Sequence, residues 1–105
     1  MTNIKAPDVS QWPVFALCNT RTNDFEPPYI CQTDKAAREL YRQVLLPIAT
    51  APIKAVADSA FDFVVFQLGT WSQGSAKIGY FKTPEFKFTS DDLLKSESSQ
   101  VKKNG

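Results

Sequence analysis

The chain of 105 residues contains no histidine, only two cysteines and only four glycines. Without histidine it lacks the commonest general base and the commonest metal ligand. The two cysteines, Cys18 and Cys31, are too few for a usual metal site, and no histidine can activate either of them as a nucleophile. The scattered glycines form no phosphate-binding loop. These absences argue against an enzyme and predict no catalytic residue, no metal and no cofactor.

Long apolar runs and a strong net charge are also missing. No apolar run approaches the ~20 residues that a membrane-spanning helix needs, and residues 1–12 lack the apolar core of a secretory signal. We therefore expect a cytosolic protein with reduced thiols and no membrane partner. Twelve lysines and arginines nearly balance 11 aspartates and glutamates, which leaves a net charge of +1. If the chain binds nucleic acid, its positive charge must be gathered on one face.

The segment from Phe61 to Trp71 is the longest β-favouring run in the chain. Its aromatic and β-branched residues suit a pleated surface, and both of its faces are mostly apolar. This pattern predicts a central strand in a sheet that is covered on at least one side. A buried helix is the alternative, but Gly69 and the pair Val64–Val65 argue against it.

The first part of the chain predicts a β-hairpin. Val14 to Cys18 is a short apolar strand, residues 19–26 are rich in turn formers, and Tyr29 to Cys31 reads as the second strand. The midpoint between the two cysteines falls in the turn-forming stretch. The thiols could therefore be cross-strand neighbours.

The middle of the chain predicts one well-defined helix. Thr33 is a good N-cap, and residues 34–46 place apolar side chains at helical spacing. Pro47 is expected to end or kink this helix, because the residue before a proline disfavours the helical region. Residues 48–59 are interrupted by Pro52, so a loop with one helical turn is expected there.

The last part of the chain predicts a second hairpin. A turn at residues 73–75 leads to a strand from Ala76 to Lys82, which pairs back on the central strand. Pro84 is expected to interrupt this strand, and residues 85–88 to continue it as an edge segment. Residues 90–92 are suited to cap a short helical turn. From Lys95 onward the chain is polar and is expected to be disordered.

Together these elements predict an α+β fold. Its four-stranded antiparallel sheet has the sequence order strand, strand, helix, strand, strand, with one helix packed on one face. The expected domain covers residues 13–94, between an N-terminal arm (1–12) and a disordered polar tail (95–105). Because one helix covers only one face and aromatics are plentiful, the other face is expected to contact a partner, and we expect a homodimer.

Basic and aromatic residues alternate in the last hairpin, which is the pattern of a single-strand binder with stacking platforms and cationic grooves. The candidate nucleic-acid-binding residues are Arg21, Arg38, Arg42, Trp71, Lys77, Tyr80, Lys82 and Lys87. Each also has a purely structural interpretation. Aromatics at strand spacing are more often core, and lysines on an edge strand more often prevent edge-to-edge pairing. One contiguous positive face would favour DNA as the partner, and scattered cations would favour protein.

Two segments carry a resemblance to a known family: VFALCNTRTNDFEPPYICQTDKAARELYRQVL and FDFVVFQLGTWSQGSAKIGYF. In their order along the chain they resemble the small nonstructural protein of gokushovirus-type microviruses, which are bacteriophages with single-stranded DNA genomes. The similarity covers roughly residues 13 to 82. The family pattern is a strand, a polar turn, a proline-bearing second strand, a helix begun by threonine, and a strand that ends in a glycine flanked by aromatics.

The resemblance implies a noncatalytic role in viral genome replication, in the switch to single-strand synthesis and packaging, within the host bacterial cytoplasm. The leading hypothesis is therefore a DNA-binding protein with single-stranded DNA as its partner. The alternative is a protein-interaction module that binds a viral or host replication protein. No catalytic residues carry over from the family.

Overall fold

One antiparallel sheet and a layer of helices make up the part of the chain that the computed structural model describes, residues 11–95. The elements are β1 (Gln11–Asn19), β2 (Asp24–Phe25), β3 (Tyr29–Ile30), α1 (Asp34–Ala49), α2 (Lys54–Ser59), a 3-10 turn (Ala60–Asp62), β4 (Phe63–Ser72) and β5 (Lys77–Thr89). Residues 90–95 are helical. The predicted α+β class is confirmed.

The strands are ordered β2-β1-β4-β5. β3 also pairs directly with β1, at residues 14–15, whereas β2 pairs with residues 18–19. All these pairs are antiparallel. The strand predicted to be central, β4, lies between β1 and β5. It begins at Phe63, two residues later than expected, because the preceding residues form the 3-10 turn. β1 begins at Gln11, earlier than the expected Val14, because Trp12 pairs with Trp71 on β4.

The helices cover one face of the sheet. The N-cap prediction is confirmed, since the Thr33 hydroxyl accepts a hydrogen bond of 3.0 Å from the backbone N–H of Ala36. The core between α1 and the sheet consists of Phe15, Leu17, Cys31, Ala37, Tyr41, Leu45, Val65, Phe88 and Leu93. Leu93 comes from the helical segment at 90–95, and α2 contacts α1. The helical layer therefore contains three pieces, where the sequence predicted one helix and short turns.

The 90–95 segment begins with a capping interaction that involves Asp92 of the predicted stretch 90–92 and the residue just before it, Thr89. The Thr89 hydroxyl accepts from the backbone N–H of Asp92 at 3.0 Å, and the Asp92 carboxylate accepts from the Thr89 N–H at 3.3 Å. This reciprocal pair is a capping box. It makes Thr89, rather than Ser90, the N-cap.

Helix α1 does not end at Pro47 but continues to Ala49. A proline removes one intrahelical hydrogen bond, and the surrounding contacts outweigh that loss. Ile48 packs against the core, and both the N–H and the hydroxyl of Thr50 donate to the Leu46 carbonyl, at 3.0 and 2.9 Å.

The two thiols are not cross-strand neighbours, so that prediction is wrong. Cys18 lies opposite Phe25, whereas the backbone N–H of Cys31 donates to the carbonyl of Pro13. Cys31 is therefore attached to β1 at Pro13, five residues from Cys18. Five residues of a strand span roughly 16 Å, so the two cysteines are far apart. The reason is that the chain turns at residues 20–23, before the midpoint of the two cysteines. Both cysteines are free.

Pro84 does not interrupt the last strand, because β5 runs unbroken from Lys77 to Thr89. The proline falls in a register irregularity, where residues 81–84 of β5 lie opposite the single residue Leu68 of β4. β5 is the edge strand of the sheet, where a missing backbone N–H is tolerated.

Two predicted segments fall almost wholly outside the described residues. Of the expected arm (1–12), only Gln11 and Trp12 are described, and both belong to β1. Of the expected polar tail (95–105), only Lys95 is described, and it belongs to the helical segment. Between residues 11 and 95, no helix has the length and apolar character needed to cross a membrane.

Candidate nucleic-acid interface

The sheet has a second face, opposite α1, which we call the open face. Alternate residues of a strand point to opposite sides. On β1, Phe15 and Leu17 belong to the helix-side core, so Val14, Ala16 and Cys18 point to the open face. The same alternation assigns Trp12 to the open face.

The register across the sheet brings six aromatic side chains to the open face. On β4, Phe66 opposes Ala16 and Trp71 opposes Trp12; on β5, Tyr80 opposes Gly69 and Phe86 opposes Phe66. Phe25 on β2 opposes Cys18. The open-face aromatics are therefore Trp12, Phe25, Phe66, Trp71, Tyr80 and Phe86.

These rings contact one another across the strands. The ring centroids of Phe25 and Phe66 are 5.7 Å apart, although β2 and β4 lie on opposite sides of β1 and their backbones are separated by two strand spacings, or about 9.6 Å. Both rings must therefore lean over β1, where Ala16 and Cys18 are small enough to lie beneath them. Phe66 also contacts Phe86, at 6.5 Å between centroids.

Three of the open-face aromatics are strongly exposed. Tyr80 is 64% exposed, Phe86 55% and Phe25 46%. The Trp12 and Trp71 rings meet edge to face at 5.6 Å, and both are only partly accessible. Exposed aromatics that form a continuous surface mark a binding surface more often than isolated ones do.

Four of the six predicted cationic residues already have partners in the fold. Arg21 pairs with Asp62 at 3.5 Å, and Arg42 pairs with Glu39 at 2.8 Å. The Lys87 ammonium lies 3.2 Å from the Asp34 carboxylate of α1. These three pairs place the cations beside carboxylates, so their charges are locally compensated.

Arg38 has a different structural contact. Its guanidinium carbon lies 4.9 Å from the centroid of the Phe88 ring, which is a cation–π distance. Phe88 belongs to the core beneath α1. Arg38 therefore lies on the helix side of the sheet, away from the open face.

The remaining two cations, Lys77 and Lys82, form no ion pair with any residue between 11 and 95. They lie on β5 on either side of Tyr80, the most exposed aromatic. β5 carries one carboxylate, Glu85. Glu85 opposes Gln67 of β4, and Gln67 opposes Phe15 of β1. Because Phe15 belongs to the helix-side core, Glu85 also points to the helix side. Lys82 thus keeps its positive charge two residues along β5 from Tyr80. Lys77 opposes Ser72 and, through it, Gln11, so it points to the helix side.

The structure does not gather the predicted site residues on one contiguous positive face. Trp71, Lys77 and Tyr80 lie together at the hairpin end of the sheet, with Lys82 next along β5. Arg38 and Lys77 lie near opposite ends of the sheet. Arg38 covers Phe88, which opposes residue 65 of β4, whereas Lys77 opposes residue 72 of the same strand. The seven positions between residues 65 and 72 span roughly 23 Å along β4.

Of the six open-face aromatics, sequence reasoning listed only Trp71 and Tyr80 as site residues and missed Trp12, Phe25, Phe66 and Phe86. Phe25 was placed in a turn, and Phe66 in a strand of which both faces appeared apolar. The sequence does contain one signal for Phe25 and Phe66: the small residues Ala16 and Cys18 at alternate positions of β1 leave room for rings above them. This signal can be interpreted only when the strands that pair with β1 are known.

One thiol, that of Cys18, points to the open face. Burial raises the pKa of the Cys18 thiol, and the nearby Asp24 carboxylate raises it further, so the thiol stays protonated. Across residues 11–95 no group of three metal-ligating side chains comes together.

Comparison with protein-family models, with curated proteins and with solved structures finds no match for this chain.

Proposed function

We propose that this protein is a noncatalytic bacteriophage nonstructural protein that binds single-stranded DNA along the β5 side of its open face. It acts in viral genome replication, in the host bacterial cytoplasm, as the resemblance implies. One observation carries the proposal: Lys82, which forms no ion pair with any residue between 11 and 95, lies two residues along β5 from the exposed ring of Tyr80. That arrangement supplies a base-stacking platform beside a phosphate contact.

The physics of single-strand binding suits this surface. Stacking of a base on an aromatic side chain contributes about 1–3 kcal/mol and tolerates any base, since every base has a π-face. Tyr80 projects from a sheet that is backed by α1, so the backbone beneath the ring is ordered before DNA arrives. Trp71, two positions from Gly69 on β4 and therefore next to Tyr80 on the open face, extends the platform.

The salt dependence of binding reports how many of the cations contact phosphates. Each phosphate contact with single-stranded DNA contributes about −0.7 to the slope of log K against log salt. If Lys82 alone contacts a phosphate, the slope is about −0.7; if all six predicted cations do, it is about −4.2. Fluorescence anisotropy of a labelled oligothymidine at several salt concentrations distinguishes the two values.

Matched variants locate the site. Lys82→Gln should weaken binding at low salt and flatten the slope, and Tyr80→Ala should weaken binding without changing the slope. Lys87→Gln is the matched control, because the same substitution on the same strand removes a lysine that is paired with Asp34. The proposal fails if no oligonucleotide binds at low salt, or if Lys87→Gln weakens binding as much as Lys82→Gln.

A second candidate function is a protein-interaction module that binds a viral or host replication protein. The observation in its favour is that β1 and β4 contain no charged residue, so the centre of the open face is apolar. Scattered, compensated cations also suit a protein partner better than DNA. In this case Phe86→Ser should abolish partner binding while Lys82→Gln leaves it intact.

We also propose a homodimer in which the open-face cluster of Phe25, Phe66 and Phe86 packs against a second copy. Homodimer interfaces are more apolar than the rest of a protein surface, as this cluster is. Sedimentation of the wild type and of Phe86→Asp tests the proposal: the wild type should be dimeric and the variant monomeric. A monomeric wild type at high concentration would overturn it.

A further inference from the structure

A cavity of about 230 Å³ lies on the helix side of the sheet, away from the open face. It is lined by Leu17, Glu26, Pro27, Tyr29, Tyr41, Val44, Ile48 and Phe63. These residues belong to β1, the stretch from β2 to β3, α1 and the start of β4. The cavity therefore forms where α1 and the double-proline segment both approach the sheet.

One polar group of this lining has no partner. Tyr41 is 1% exposed, and its hydroxyl is buried without a hydrogen bond to any described residue. Its ring packs edge to face on Tyr29, with 6.0 Å between centroids. A buried hydroxyl that makes no hydrogen bond destabilises the folded state, so an acceptor placed in the cavity would relieve that cost.

The size and charge of the cavity restrict what it can hold. An apolar cavity of about 150 Å³ accepts a benzene molecule, so this larger one accommodates a single ring with a short substituent. Apart from its two tyrosines, the only ionisable lining residue is Glu26. Its carboxylate disfavours an anionic ligand at the cavity, and the apolar lining disfavours a strongly hydrated one.

We infer that this cavity is a binding site for a neutral, single-ring aromatic molecule that carries one hydrogen-bond acceptor, with Tyr41 donating to that acceptor. The aliphatic residues Leu17, Val44 and Ile48 supply the apolar contacts to the ring. This site is separate from the proposed DNA surface and does not depend on it.

Three probe molecules test the inference in the absence of DNA. Acetophenone is neutral and has one carbonyl acceptor, ethylbenzene has a similar shape without the acceptor, and benzoate adds a negative charge. Titrations followed by amide chemical shifts of the labelled protein should give acetophenone about a five-fold advantage over ethylbenzene, as for one added hydrogen bond. Benzoate should bind weakest, and the shifts should be centred on the lining residues.

Variants separate the hydrogen bond from simple apolar binding. Tyr41→Phe removes an unpartnered hydroxyl and should fold; in it, acetophenone and ethylbenzene should bind equally. Val44→Phe should fill the cavity and weaken both probes, whereas Val56→Phe, at an exposed position of α2 outside the lining, should leave both unchanged. Equal affinities in the wild type, an unchanged preference in Tyr41→Phe, or no binding of any probe would overturn the inference.

Discussion

Replacing Gly69 with alanine tests the close backbone contact between β4 and β5. A Cβ atom at this position would overlap the Gly79 carbonyl oxygen and would lie 2.8 Å from the Tyr80 Cα. Both neighbours are backbone atoms, so no side chain can rotate away to make room. The strands would have to separate at the point where Tyr80 is held over the sheet.

Gly79 provides a matched control on the facing strand. A Cβ atom there would meet nothing within 4 Å, and the backbone of Gly79 does not adopt a positive φ. Gly79→Ala should therefore be neutral or stabilise the fold by about 0.4–1 kcal/mol, because alanine restricts the unfolded chain. Gly69→Ala should destabilise the fold by about 1–3 kcal/mol, the usual cost of forcing an added methyl group into packed structure.

The two predictions differ by about 1–4 kcal/mol, which urea denaturation resolves. With a slope of about 1–3 kcal/mol per molar urea, the unfolding midpoints should differ by roughly 1 M. Gly69→Ala should also weaken oligonucleotide binding if Tyr80 is the stacking platform. Equal midpoints for the two variants, or a Gly69→Ala protein as stable as the wild type, would refute the proposed close approach of β4 and β5.

Three further predictions follow from local contacts. Thr33→Ala removes the α1 N-cap and should lower the free energy of unfolding by about 1 kcal/mol, measured by urea denaturation. Cys18 and Cys31 should remain unlinked under mild oxidation and react slowly with iodoacetamide until urea is added, as checked by mass spectrometry, because burial raises the pKa of both thiols. Hydrogen bonds from Gln43 and then Arg42 lower the pKa of Glu39, so its stabilising contribution is present above the unfolded pKa and lost as pH falls through the folded one. Gln43→Ala should therefore raise the Glu39 pKa, as read from carboxyl chemical shifts.

Local sequence patterns were sufficient where a single segment determined the outcome. The apolar run that ends at Trp71 predicted the central strand, because β-branched and aromatic residues favour a pleated backbone in any partner context. Thr33 predicted the start of α1, because a cap needs only the next three residues. Pro47 does not end α1, because packing of Ile48 on the core outweighs the local penalty.

Pairing between distant segments decided everything about the candidate site. No local pattern indicates that Lys87 meets Asp34 or that Arg38 covers the Phe88 ring, since each contact depends on how α1 lies across the sheet. Likewise, the open-face aromatics come together only because the strand register aligns them. The sequence by itself determined the elements and the chemistry available; the tertiary structure decided which charges were compensated and which rings remained exposed, because a register shift of one residue moves a side chain to the other face.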